Sequence, residues 1–175
     1  LTWLEDCARF NIPIMVMHIM EGDIVPKVNK YGIESIWKLT QEAEKLKVKI
    51  ALENTRFSHG ITSILSEIES EHLGLCYDSS HARLHGDEFL LRHFGHRLIT
   101  CHISDNDGKV DRHWLPGNGL IDWENFYNAF PKEHYLGNLM LEVYPTEDEK
   151  RAGPKEFLNK AFERISALVR KSNGG

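Results

Sequence analysis

The stretch LGLCYD, residues 73–78, followed at once by SSHA, residues 79–82, combines a continuous apolar run with an acidic end. Such a run is typical of a strand that is buried on both faces of a parallel sheet. It ends in Asp78, and His81 follows three residues later, about one turn onward if a helix begins there. We therefore expect both side chains to face one cavity at the carboxyl end of the strand, although Asp78 could instead serve only as a helix cap.

Four further apolar runs predict strands at residues 12–19, 48–53, 97–103 and 139–143. Amphipathic stretches between and after the strands predict helices at 31–47, 61–70, 87–94, 123–130 and 154–170. Asp122 is the expected N-cap of the helix at 123–130, because its carboxylate can accept from the first free amides. Strands that alternate with helices in this way form right-handed βαβ units around a parallel sheet. With no internal repeat and no low-complexity linker, residues 1–175 are predicted to form a single α/β domain.

Composition excludes several classes of protein. The chain has 175 residues, of which 41% are hydrophobic, and this core material excludes intrinsic disorder. Lys and Arg number 21 against 26 Asp and Glu, and the net charge of −5 argues against a nucleic-acid partner. The three cysteines, Cys7, Cys76 and Cys101, fit no disulfide framework and favour a cytoplasmic location. No apolar run reaches the roughly 18 residues of a membrane span, so we expect no membrane partner.

The five predicted strands share one property, because each ends in a side chain of a type that binds metal ions. These residues are His18, Glu53, Asp78, His102 and Glu142. Parallel strands bring their carboxyl ends to one face of a sheet, and in (β/α)₈ barrels that face holds the active site. Carboxylate oxygen and imidazole nitrogen suit hard or borderline divalent cations. No strand ends in cysteine, which argues against a structural thiolate zinc site and leaves Cys76 and Cys101 as packing residues.

A second pair of candidate ligands lies in the long polar loop at residues 104–121. Asp111 and His113 are two residues apart, so in an extended segment their side chains point the same way. The pair is a candidate second metal site, and a solvated loop is the alternative.

Five segments in chain order carry a resemblance to a known family: ALEN (51–54), LGLCYDSSHA (73–82), CHISDNDG (101–108), DRHWLPGNGLIDW (111–123) and LMLEVYP (139–145). Together they resemble the xylose isomerase-like (β/α)₈ barrel superfamily. This superfamily includes sugar and sugar-phosphate isomerases and epimerases, and also abasic-site nucleases of the endonuclease IV type. The resemblance implies a TIM barrel of which only the last five strands are present. We interpret the chain as N-terminally truncated; the alternative is a chain that pairs with another copy, as a homo-oligomer, to close its sheet.

The epimerase branch of the resemblance implies one divalent ion, Mn²⁺, Mg²⁺, Co²⁺ or Zn²⁺, held by Glu53, Asp78, His102 and Glu142. The two glutamates would also be the catalytic acid and base. His81 matches a position that contacts substrate oxygen, and His18 and Arg112 are further candidate substrate contacts. The expected substrate is a small sugar or sugar phosphate, and the expected reaction removes a proton beside a carbonyl through an enediolate.

Two rival interpretations remain open. The nuclease branch implies a multi-zinc cluster that cleaves DNA at abasic sites, with ligands at His18, Glu53, Asp78, His81, His102, Asp111, His113 and Glu142. The acidic charge balance and Pro116 in the glycine loop favour the sugar branch. The third interpretation is a barrel fragment that catalyses nothing.

Overall fold

The computed structural model describes residues 2–19, 28–56 and 58–173. Within these ranges the strands are β1 (Ile14–Met17), β2 (Lys49–Glu53), β3 (Leu73–Asp78), β4 (Leu98–Ile103) and β5 (Met140–Leu141). The helices in the same ranges are α1 (Thr2–Arg9), α2 (Lys30–Leu46), α3 (Ser58–Glu67), α4 (Ser79–His85), α5 (Phe89–Phe94), α6 (Trp123–Ala129), α7 (Glu147–Ala152) and α8 (Pro154–Asn173). None of these helices combines the length and apolarity that a membrane span requires.

The five strands form one parallel sheet in chain order, β1-β2-β3-β4-β5. Glu53 lies opposite Cys76, and Asp78 lies opposite His102. Every residue of β3 is buried, as expected for a strand covered on both faces. The prediction of an α/β fold that contains five strands of a TIM barrel is confirmed.

Several element boundaries differ from the predictions, and each difference has a local cause. The fifth strand is only two residues long, because Tyr144 N leaves the sheet and donates to His113 O at 2.7 Å. The helix predicted at 87–94 is preceded by a separate helix, α4, which ends where Gly86 adopts a left-handed conformation at φ 74°. The unpredicted α7 begins with a capping box between Thr146 and Glu149, a signal that the T-x-x-E spacing carries in the sequence.

The core lies between the sheet and the helices that cover it. Ile50 and Leu52 of β2 and Leu75 of β3 are fully buried and pack in one cluster with Ile64 of α3. Burial of such side chains contributes about 1.5–3 kcal/mol each relative to exposure. The cluster fixes β2 and β3 against their helices and so fixes the positions of the strand ends.

Close approach of two backbones aligns β3 with β4. A Cβ atom on Gly74 would lie 2.2 Å from the carbonyl oxygen of Arg97 and 2.8 Å from Ile99 Cδ1. Only glycine allows this approach without movement of the backbone. Gly74 lies just before Leu75 and Cys76, where the register between β3 and β4 shifts. After this shift, Asp78 pairs with His102.

We predict that Gly74→Ala lowers the free energy of unfolding by about 1–3 kcal/mol, because the added methyl group overlaps backbone that cannot move freely. Gly32→Ala is the matched control, since a Cβ there meets nothing closer than 3.7 Å and alanine favours the helix by up to about 1 kcal/mol. Urea unfolding followed by circular dichroism measures both changes. An unchanged midpoint in Gly74→Ala would show that the two backbones are not in contact.

Candidate metal centre

Four side chains with metal-binding chemistry meet at the carboxyl ends of the strands. Ligand atoms of Glu53, Asp78, His102 and Glu142 all lie within 4.8 Å of one another. Glu53 and Asp78 end β2 and β3, His102 is in β4, and Glu142 directly follows β5. The structure therefore brings together four of the five residues that end the predicted strands, and the fifth is His18.

Asp78 provides the test of whether these residues fit a cation. Its side chain is fully buried, and its Oδ1 accepts from His81 N at 2.7 Å as the N-cap of α4. Its Oδ2 is buried without a hydrogen-bond partner among the described residues. Burial raises the pKa of Asp78 to about 6. Because an unpaired buried carboxylate oxygen is costly, a divalent cation at this point fits the donor set. The cap and ligand interpretations of Asp78 are thus compatible, because each uses a different oxygen.

Three imidazoles surround the carboxylate of Glu53. Its Oε1 lies 3.4 Å from His81 Nδ1 and 3.4 Å from His102 Nδ1, and its Oε2 lies 3.3 Å from His18 Nε2. Burial raises the pKa of the Glu53 carboxyl, but His102 and His81 outweigh burial and bring that pKa well below its usual range. Glu53 is therefore buried and ionised at neutral pH, which a general base requires.

His102 joins the two glutamates. Its Nδ1 lies 2.8 Å from Glu142 Oε2 and 3.4 Å from Glu53 Oε1, so one ring nitrogen faces both carboxylates. Hydrogen bonding to Glu53 raises the pKa of His102 in the absence of an ion. A cation that binds the imidazole must therefore displace a proton.

The second predicted pair lies beside the first cluster. Asp111 Oδ2 is 2.9 Å from His113 Nε2 and 3.1 Å from His81 Nε2, and Asp111 Oδ1 is buried without a hydrogen-bond partner among the described residues. His113 Nδ1 donates to Glu142 O at 3.0 Å, since a carbonyl oxygen only accepts. Asp111 and His113 thus contact each other beside the first cluster, and their role as a second metal site stays a prediction. Burial lowers the pKa of His81, but Asp111 and Glu53 outweigh it and raise that pKa to about 11.

Of the remaining residues, Arg112 stands apart from the four-residue cluster, whereas His18 and Cys76 lie beside it. Arg112 contacts Asp107 Oδ2 at 3.0 Å and lies over the ring of Trp114, so these contacts hold it against its own loop. His18 touches the cluster through Glu53, with 39% of its side chain exposed. Cys76 lies near Glu53 and His102, but burial raises the pKa of its thiol and keeps it protonated. The expectation that Cys76 is a packing residue is consistent with its burial.

Asp105 supports the loop that carries Asp111 and His113, and sequence reasoning missed it. Its carboxylate is fully buried and accepts from four N–H groups, those of Asn106, Gly117 and Ile121 in the backbone and that of the Trp123 indole. Gly119 passes so close that a Cβ would lie 2.4 Å from Asp105 Oδ1. No local spacing in the sequence signals this role, because the donors are distant from Asp105 along the chain.

We predict that Mn²⁺ binds this centre more weakly in acid. Because the pKa of Asp78 is about 6 and the ion must also displace a proton from His102, the dissociation constant is expected to rise at least about tenfold for each pH unit below 6. Isothermal titration at pH 5.0 and 7.5, in buffers of different ionisation enthalpy, measures both the affinity and the protons released. Equal affinity at the two pH values, with no proton release, would contradict a site that includes Asp78.

The sequence of this chain is similar to one family model and to two curated proteins. The model of the family "Xylose isomerase-like TIM barrel" matches residues 1–161. The uncharacterized protein MJ1311 of Methanocaldococcus jannaschii is 27% identical over 95% of this chain and 62% of its own length. The uncharacterized protein y4fM of Sinorhizobium fredii is 38% identical over 46% of this chain and 26% of its own length. The chain thus spans less than two thirds of the curated relatives that it matches.

Solved structures share the fold. The IolI protein with a bound zinc atom aligns with a TM-score of 0.79 and 22% identity, over 99% of this chain and 69% of that protein. The D-allulose 3-epimerase of a Methylomonas species aligns with a TM-score of 0.73 and 15% identity, over 94% of this chain and 66% of that protein. At such identities the likeness is one of fold. With the family match over residues 1–161, the chain belongs to the xylose isomerase-like TIM barrel family.

Proposed function

We propose that this chain carries the divalent metal centre of a sugar or sugar-phosphate isomerase or epimerase. The observation that carries the proposal is the group Glu53, Asp78, His102 and Glu142, whose ligand atoms converge within 4.8 Å. Zinc in the similar IolI structure and the epimerase activity named for another structural neighbour support it. Mn²⁺, Mg²⁺, Co²⁺ and Zn²⁺ all suit a site of three carboxylates and one imidazole.

The proposed chemistry assigns separate roles to the two glutamates. Glu53 is buried and ionised, and it takes the proton from the carbon beside the carbonyl. Glu142 faces the same Nδ1 of His102 as Glu53 does, but 42% of its side chain is exposed, and we assign it the return of a proton to the substrate. A bound divalent ion supplies a Lewis acid that stabilises negative charge as it develops on substrate oxygen. Two bases acting on two faces give an epimer, and one base acting on a single face gives an isomer.

His81 is the proposed contact for a substrate oxygen. Its Nδ1 faces Asn54 O at 3.0 Å, and its Nε2 faces Asp111. With its pKa raised to about 11, His81 is an imidazolium at neutral pH, and a substrate oxygen would replace Asp111 as the acceptor of its Nε2 hydrogen. This donor would hold a substrate hydroxyl or carbonyl near the two glutamates.

One observation favours a second candidate function, cleavage of DNA at abasic sites. Asp111 contacts both His81 and His113 beside the first cluster, and all three are residue types that bind zinc. Against this function stand the net charge of −5 and the engagement of Arg112 with Asp107, which leave little positive charge at this face for a phosphate backbone. The sugar reaction therefore remains the preferred function.

The test is exchange of substrate hydrogen with solvent. The chain is incubated with Mn²⁺ in D₂O with a panel of ketoses and ketose phosphates, and nuclear magnetic resonance follows the hydrogen beside the carbonyl. Deuterium incorporation with formation of an epimer or aldose supports the proposal. Cleavage of an abasic-site oligonucleotide with Zn²⁺, without such exchange, favours the nuclease, and absence of both activities favours a non-catalytic chain.

We predict that Glu53→Gln and Glu142→Gln each lower the turnover number by about 10²–10⁴-fold, because an amide cannot accept the proton. Glu44→Gln, on the exposed face of α2, is the control and should retain full activity. Turnover is measured on the substrate that the exchange experiment identifies, with circular dichroism as the check on folding. Full activity in either active-site variant would show that the assignment of acid and base is wrong.

A further inference from the structure

Asn54, the residue directly after Glu53, connects the ends of β2 and β3. It is fully buried. Its Nδ2 donates to Asp78 O at 2.9 Å, and its Oδ1 accepts from Asp78 N at 2.7 Å. The side-chain amide thus pairs with both backbone groups of Asp78, as a peptide group of a neighbouring strand would. It extends the pairing of β2 with β3 beyond Glu53, the last residue of β2 in the ladder.

The main chain of Asn54 also fixes His81. Its carbonyl oxygen lies 3.0 Å from His81 Nδ1 and can only accept, so this nitrogen carries a hydrogen. His81 Nε2 then faces Asp111 at 3.1 Å. One residue therefore holds the backbone of Asp78, follows Glu53 directly and orients His81.

The spacing of two carboxylates at the end of a sheet needs such support. Neighbouring strands are rotated by about 20–25° relative to each other, so their ends diverge unless something joins them. Mg²⁺ requires oxygen ligands at about 2.0–2.1 Å in rigid geometry, whereas Ca²⁺ accepts about 2.3–2.6 Å in a flexible one. A site that holds its ligand oxygens at a fixed, short separation favours the smaller ion. A site whose strand ends can move apart loses that preference.

We propose that Asn54 is the positioning residue that sets the preference of this centre for small divalent ions, because its side chain fixes the backbone of Asp78 relative to Glu53. The inference rests on the metal centre of the proposed function, but it concerns ion binding alone and does not depend on which reaction the centre serves.

The experiment measures binding of Mg²⁺ and Ca²⁺ by their displacement of Mn²⁺, followed by electron paramagnetic resonance. In Asn54→Ala the affinity for Mg²⁺ should fall by about 10–100-fold, as is common when an outer-shell partner is lost, while the affinity for Ca²⁺ falls much less. The readout is the ratio of the two affinities, which a general loss of stability would leave unchanged.

Asn106→Ala is the matched control. Asn106 is also fully buried, and its side chain donates to Ser80 and accepts from Gly108 N, but it contacts neither Glu53 nor Asp78. This variant should lose stability without a change in the ratio of affinities. Asn54→Asp is the second test variant if the alanine variant does not fold, because it retains the acceptor for Asp78 N and loses the donor to Asp78 O. Its added charge attracts both ions, so the ratio remains the readout.

Each outcome distinguishes the two proposals. A shift of the ratio in the Asn54 variants alone supports the inference. If the affinities for Mg²⁺ and Ca²⁺ fall equally, or if Asn106→Ala shifts their ratio in the same way, the inference is wrong. The proposed metal centre is not affected by either result. If the wild-type chain does not bind Mn²⁺ at all, the metal centre of the proposed function fails, and the inference fails with it.

Discussion

Parallel pairing of neighbouring strands in chain order is the constraint on which this molecule depends. Because β2, β3, β4 and β5 all run the same way, their carboxyl ends share one edge, and the residues at those ends are forced together. The close approach at Gly74 then fixes the register of β3 against β4, which places Asp78 opposite His102. The pairing of the backbones is thus enough to place the four candidate ligands near one another.

The candidate cluster sets carboxylates against imidazoles. Glu53, Asp78, Asp111 and Glu142 face His18, His81, His102 and His113 across a partly buried space. In the absence of a cation the imidazoles neutralise the carboxylates by holding protons, as the raised pKa values of His81 and His102 indicate. Protons and a divalent ion thus compete for the same oxygens and nitrogens. The surroundings of the two glutamates differ, because Glu53 is buried and 42% of the Glu142 side chain is exposed.

The sequence predicted the positions of residues at strand ends, because the sheet topology determines them. It was less informative for residues whose positions depend on the path of a loop. The four candidate ligands were predictable, because an apolar run fixes a strand and its last residue fixes a place at the edge of the sheet. Asp111 and His113 contact each other, but His113 has a left-handed backbone at φ 50° and not the extended one on which the spacing argument depended. Asn54 and Asp105 were missed, because their partners are hydrogen-bonding groups whose positions depend on how distant segments meet. The contact of Arg112 with Asp107 was missed because a loop turn, and not the sheet, decides where that side chain points.

The buried carboxylate of Asp105 also bears on the motions of the loop between β4 and α6. A segment of this length without helix or strand ordinarily opens easily and exchanges its amide hydrogens quickly. Here the backbone amides of Asn106 and Ile121 donate to the Asp105 carboxylate, and the amide of Leu120 donates to Asn106 O. Asp105 and Asn106 are both fully buried. Exchange of these amides with solvent requires that the carboxylate be uncovered, so the base of the loop should open only together with the sheet. The base of the segment that carries Asp111 and His113 therefore belongs, in kinetic terms, to the slowly exchanging core.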